Sequence, residues 1–345
     1  MNISENITLS PPTLPQADGN NTISISDLRA MEIQYLLMAV PSYHDVQTGD
    51  SIVGQLCLNG DCSSGNQTGV LKSIPYTITP DKTHESPYYL LFVLNDISQY
   101  GSYQAQYTIT SYGNTRSSPA VNINLISKNS SSLSDYIPSV PNATGDQGTL
   151  LTEDDYYRLD KLTVNVPVYD DMAPGHTVRV LWKGRRKDII YKTPPQTVSV
   201  AAPMTFYVPR FEFIDNISDT VKVLFSVERS ADNIVEFSGT LHLSIEGQSL
   251  DLPAPSLAYN YDDGSIQVIV SYSGMTTEQT IEVRLVGKTM VQTDLQTVDN
   301  LQNMVIDIPN DWAEENRGHL VLIDYAIGDI NGDRYNFSHI LRRVL

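Results

Sequence analysis

The chain has 345 residues, with 22 Lys and Arg against 40 Asp and Glu, a formal net charge of −18. At ~100–200 residues per domain, this length predicts two or three domains, each able to bury a core of its own. So acidic a surface repels polyphosphate backbones and anionic headgroups, which argues against nucleic acid as a partner. Charged residues are only 18% and tyrosines number 20, a mixture that predicts strands and turns and hence an all-β protein.

The amino-terminal stretch, residues 1–19, shows no basic region, apolar run or small-residue cleavage site of a secretory leader. Either the sequence begins after a removed leader or export takes another route. Residues 1–9 read as a disordered segment. The most apolar stretches, Tyr88 to Leu94 and Met304 to Ile308, are strand-sized, well below the ~20 residues of a membrane-spanning helix, so no transmembrane segment is expected. The two cysteines, Cys57 and Cys62, flank a short turn; a local bridge and two reduced thiols both fit that spacing.

Internal repetition dominates the chain. Pro12-Thr-Leu-Pro-Gln-Ala-Asp-Gly19 is echoed 126 positions later by Pro138-Ser-Val-Pro-Asn-Ala-Thr-Gly145. The same displacement lays Val40 to Ile52 on Val166 to Val178, aligning Tyr43 with Tyr169, Gly49 with Gly175 and Asp50 with His176. A third, more diverged copy opens at Pro253-Ala-Pro and places Tyr272 at the same position. The three copies close on Ser118, Ser238 and Ser338, each before a terminal strand. Units of this length fold independently, unlike solenoid repeats.

Alternation of period two marks the strands. It runs through Leu162, Val164, Val166 and Val168, then Val178, Val180 and Trp182, then Val221 to Val227, Ile266 to Tyr272 and Ile281 to Leu285. Each run supplies one apolar face, as a sandwich requires. Ser26-Asp-Leu-Arg and Thr152-Glu-Asp-Asp155 predict one or two helical turns before the first core strand. The predicted fold is three tandem immunoglobulin-like β-sandwich domains in an elongated array: residues 10–127, 138–247 and 255–345, joined by semi-rigid linkers at 128–137 and 248–254.

The element from Val166 to Gly184, with its Pro-rich lead-in and closing Ser-x-x-Leu-x-Leu, resembles the tandem Ig-like repeats of large bacterial surface and secreted proteins. Tyr100-Gly-Ser-Tyr103 before an alternating strand is similar to the tyrosine corner of Ig-like domains. Ala105 stands where an antibody domain would carry cysteine. The resemblance implies an extracellular or cell-surface protein for adhesion, recognition or spacing, with no enzymatic activity. The alternative is a secreted, host-directed toxin or effector whose β domains bind a receptor and oligomerise.

Candidate chemistry is sparse. The six histidines fall apart in sequence, and His176 reads as an exposed turn residue because its type changes between copies. No nucleophile elbow, phosphate loop or zinc pattern occurs. No cofactor is predicted, although acidic pairs such as Asp170-Asp171 and Asp262-Asp263 leave room for calcium; Asp329-Ile-Asn331-Gly332-Asp333 reads as a hairpin turn rather than a calcium loop. The binding candidates are the basic run Lys183, Arg185, Arg186 and Lys187, read as a hairpin loop, and the non-recurring tyrosines Tyr156, Tyr157, Tyr259 and Tyr261. Tyr43, Tyr169, Tyr272 and Trp182 read as core. The expected partner is a host or matrix protein or glycan, met by a monomer.

Overall fold

The computed structural model describes residues 9–60, 62, 69–83, 86–145, 148–186, 189–229, 234–259, 265–331 and 335–345, with backbone alone for residues 129–132 and 259. Of the described residues, 45% lie in strands and 9% in helices. It packs as two compact units, each drawn from separated stretches. Residues 1–136, 169–201 and 224–239 form the first unit; residues 137–168, 202–223 and 240–345 form the second.

In the first unit five strands lie in the order Thr22–Ser24, Val121–Ile126, Gly101–Ser111, Ser51–Leu58 and Val70–Lys72, while Tyr35–Val40 pairs antiparallel with Tyr88–Val93 in a separate sheet. Alternation turns Ile52, Leu56, Tyr103, Ala105, Tyr107 and Ile109 of one sheet and Leu36, Met38, Val40, Tyr88, Leu90 and Phe92 of the other into a single buried cluster. The sheets approach so closely at Gly54 that an added Cβ would lie 2.8 Å from Phe92. That is a β-sandwich. Its tyrosine corner is present, with the Tyr103 hydroxyl donating to the Gln99 carbonyl at 2.9 Å. Of the predicted disordered segment, residues 1–8 lie outside the described residues, and Leu9 is buried in this core.

The second unit holds a three-stranded sheet of Ser256–Tyr259, Ile266–Val270 and Met304–Asp307, and a six-stranded sheet centred on the antiparallel pair Gln279–Val286 and Leu320–Asp329. Val268, Val270, Ile281, Val283, Ile306, Ile323 and Tyr325 share its core. The strand Asn336–Phe337 pairs back on Leu320–Asp329, as the predicted hairpin requires. Val168 departs from the expected alternation. The strand Lys161–Val166 stops before Pro167, which has no amide to give a ladder, and Val168 is 44% exposed.

The sequence repeat is also a repeat of hydrogen bonds. Thr13 and Ala39 exchange both backbone bonds, and so do Ser139 and Asn165, 126 positions on. The closing serines act alike: the amides of Tyr107, Phe225 and Tyr325 donate to the hydroxyls of Ser118, Ser238 and Ser338 at 3.1, 2.9 and 2.9 Å. Ser73, Thr193 and Thr293 accept in the same way from the amides of Gly54, Val180 and Val283.

Among the described residues four short α-helices occur. Helix α1 (Ile25–Ala30) is capped by Ser24 and α2 (Glu153–Arg158) by Thr152. The expected cap Ser26 instead lies inside α1 and is buried. Helices α3 (Arg210–Ile214) and α4 (Asn310–Glu315) begin after Pro209 and Pro309 and were not anticipated from the sequence. Asn216 and Asn316 close them by donating to the carbonyls of Glu212 and Trp312.

Neither predicted linker is a free tether. In the first, Asn129–Leu133 forms a strand parallel to Ile234–Ser238, so backbone pairing holds this polar stretch. In the second, the Gln248 side chain donates to the Phe337 carbonyl at 2.7 Å and accepts from its amide at 2.9 Å, and the His339 amide donates to Leu252 at 3.0 Å. Cys57 and Cys62 are disulfide-bonded.

Candidate binding surfaces

Lys183, Arg185 and Arg186 lead into the connection between the antiparallel strands Thr177–Lys183 and Tyr191–Lys192. Lys183 ends the strand Thr177–Lys183 and its Nζ donates at 2.9 Å to the carbonyl of Met31, the cap of α1. Cations suit a helix C-terminus, where unpaired carbonyls concentrate negative potential. Lys192, nine residues on, pairs with the buried Asp27. Arg185 is exposed and Arg186 half-buried; Lys187 lies outside the described residues.

The tyrosine candidates separate. Tyr156 is fully buried on the inner face of α2, which overturns its expected exposure. Tyr157 is half-buried, its ring 5.4 Å from that of Phe337. Tyr261 and the Tyr259 side chain lie outside the described residues. Tyr43, Tyr169, Tyr272 and Trp182 are buried.

His176 is likewise not exposed. It is buried, and its Nδ1 lies 3.1 Å from the Tyr169 hydroxyl. Burial, aided by the charge of Arg229, lowers its pKa from the usual histidine value. Burial pushes the Tyr169 and Tyr272 hydroxyls up to about 12.

A cleft of about 580 Å³ in the second unit gathers residues that sequence reading missed. Arg284 on Gln279–Val286 sits opposite Asp324 on Leu320–Asp329 and holds it through two hydrogen bonds, with Nε to Oδ1 at 2.9 Å. Asp324 is almost fully buried; desolvation raises its pKa against the pull of the guanidinium. Arg210, the first residue of α3, donates to the carbonyls of Leu159 and Tyr157 and lies 4.6 Å from the Phe337 ring centre. Burial and the nearby Arg284 charge lower its pKa. Arg284 lies 4.2 Å from the centre of the Phe211 ring. The signal for Arg284 and Asp324 was available: opposite charges on the polar positions of two alternating strands form a cross-strand pair once the strands are aligned.

Each of these arginines is engaged by carbonyl or carboxylate oxygens and packed on an aromatic ring, an arrangement that fixes two stretches of chain together and leaves Glu282, Gln292 and Asp154 on the cleft wall. Among the described residues no group of three or more His, Cys, Asp or Glu is placed to hold a metal ion. No helix among them is long and apolar enough to cross a membrane.

No known protein family and no curated protein matches the chain. Among solved structures, one described as bearing on host cell surface retention of a 1.5-MDa bacterial ice-binding adhesin is 14% identical over 98% of both chains, with a TM-score of 0.23. The FN1–FN3 domains of chicken CNTN1 are 9% identical over 98% of both chains, with a TM-score of 0.23. At such scores the likenesses carry no argument, and the all-β sandwich assignment stands on the strand pairing above.

Proposed function

We propose that the chain is a tandem of three Ig-like sandwiches that works by binding or spacing rather than by catalysis, as part of a bacterial surface or secreted protein. One observation carries this reading. Tyr43, Tyr169 and Tyr272 each bond the residue seven positions on, and that residue is Asp50, His176 and Gln279 in turn. An acid, a base and a neutral amide fill one position while the bond persists. The position therefore serves packing and not proton transfer, and the chain is built by reusing a frame.

The Cys57–Cys62 bridge supports an oxidising compartment, since disulfides persist outside the reducing cytosol. The partner in this reading is a host or matrix protein or glycan. The test is to incubate the full chain with candidate host cells and with dye-loaded liposomes. The expected result is saturable retention on cells, a monomer in sedimentation and no dye release. Dye release with oligomer formation would replace this reading with that of a secreted toxin or effector.

A further inference from the structure

The outer face of the first unit's larger sheet holds a cluster with no part in the packing described above. Tyr103, Ile123 and Leu125 turn into the core, so their neighbours Ser102, Gln104, Asn122 and Asn124 face outward. The register sets Ser102 opposite Asn124 and Gln104 opposite Asn122. Two turns extend this row. Asn20 and Asn21 are held by Asp18, whose Oδ1 accepts from the amides of Asn20 and Thr22 at 2.9 Å. The Asn59-Gly60 turn is pinned by the Asn59 amide, which donates to the Ser102 carbonyl at 2.9 Å, and adjoins the Cys57–Cys62 bridge. Together they line an open trough of about 640 Å³.

The trough's chemistry is unusual for this molecule. In a chain of net charge −18, none of its lining residues is charged, and Asn20, Asn21, Asn59, Gln104, Asn122 and Asn124 present six carboxamides. Among the described residues none of these side-chain amides has a hydrogen-bond partner. A carboxamide donates through its NH₂ and accepts through its oxygen, which is the pairing that adjacent hydroxyls require. An ionic ligand would find no countercharge there. An apolar one would find no exposed ring, because Tyr103 is buried.

We infer that this trough binds a neutral, hydroxyl-rich polymer, an uncharged polysaccharide laid across the strands and held by carboxamide hydrogen bonds. The inference rests on the recognition reading above and names the ligand class for one surface. Without a stacking ring, and with water competing for each bond, a single site binds weakly.

The test is calorimetric titration of the full chain with cellohexaose and mannohexaose, neutral linear hexasaccharides, against hexagalacturonate as the anionic control. Binding of at least one neutral sugar is expected, unchanged between low and high salt, and weakened tenfold or more in the Gln104→Ala, Asn122→Ala, Asn124→Ala triple variant. Should the triple variant fail to fold, Asn122→Ala alone, at an exposed position, is expected to weaken binding measurably. Absence of neutral-sugar binding, equal binding by the variants, or a salt-sensitive preference for hexagalacturonate would each overturn the inference. Cell retention that persists without sugar binding would sink this site alone; loss of both would sink the recognition reading too.

Discussion

The Tyr169 hydroxyl lies 3.1 Å from Nδ1 of His176, in the position that joins Tyr43 to Asp50 and Tyr272 to Gln279, both at 2.8 Å. Three chemically different side chains thus complete one structural device. Removing the hydroxyl costs different amounts at each site. Tyr272→Phe is expected to lose roughly 1 kcal/mol, a typical net hydrogen bond. Tyr43→Phe leaves the buried Asp50 carboxylate with the Gln47 amide and loses about 1–3 kcal/mol. Urea denaturation of the full-length variants measures both.

His176 gives stability a pH dependence of definite sign. Its folded pKa lies below the ordinary value of 6.5, so between the two values the unfolded chain binds the extra proton. Stability therefore falls as pH drops through the ordinary histidine value and stops falling below the folded pKa. His176→Gln, which copies the third repeat, is expected to remove this component. Melting curves of both proteins from pH 7.5 to 5 check it: parallel curves would show that His176 does not titrate against folding.

The closing serines satisfy backbone amides that burial would otherwise orphan. Ser338→Ala strands the Tyr325 amide and is expected to cost ~1–3 kcal/mol. Ser118→Ala and Ser238→Ala should fall in the same range, because the same bond is lost in each. A variant of the three with no measurable loss in denaturation would remove that copy from the common frame.

Arg284 and Asp324 predict non-additivity. Arg284→Met alone leaves a carboxylate that is only 3% exposed without its partner, at a cost of ~3–5 kcal/mol. The double variant Arg284→Met, Asp324→Leu is expected to recover most of that loss, since an apolar pair avoids desolvating two charges. A double-mutant cycle by denaturation measures the coupling.

The Cys57–Cys62 bridge closes a loop with a sequence separation of 5. Chain-entropy reasoning assigns so short a loop roughly 2 kcal/mol. Thiol titration of the unfolded, unreduced chain should find no free thiol, and Cys57→Ser, Cys62→Ser should unfold earlier by about that amount.

Much of this frame was legible because repetition preserves register. The displacement of 126 that aligns two Pro-x-x-Pro segments also aligns the backbone exchanges Thr13–Ala39 and Ser139–Asn165. It failed where the spacing changes. The helix caps Ser24 and Thr152 are 128 apart, two more than the surrounding register. Sliding by those two residues places Tyr156 on Leu28, both buried, and would have shown that Tyr156 belongs to the core. Helices α3 and α4 were not legible because, at five and six residues, they are too short to show a helical apolar period, although proline before them is a common helix-start signal. The Arg284–Asp324 pair could be aligned from its two strands, but the rest of the cleft was not legible, since Arg210 and Phe337 lie far from them in sequence and meet them only through tertiary packing. His176 was misjudged because variation between copies was taken for exposure, when the buried partner tolerates any side chain that can bond a hydroxyl.

The most direct test of a thrice-used frame is native-state amide hydrogen exchange on the whole chain. The amides of Gly54 and Tyr107, of Val180 and Phe225, and of Val283 and Tyr325 are each bonded to a buried or half-buried hydroxyl. The account predicts that all six rank among the slowest to exchange and that the two of each copy open together. Free exchange at both positions of any one copy would contradict it.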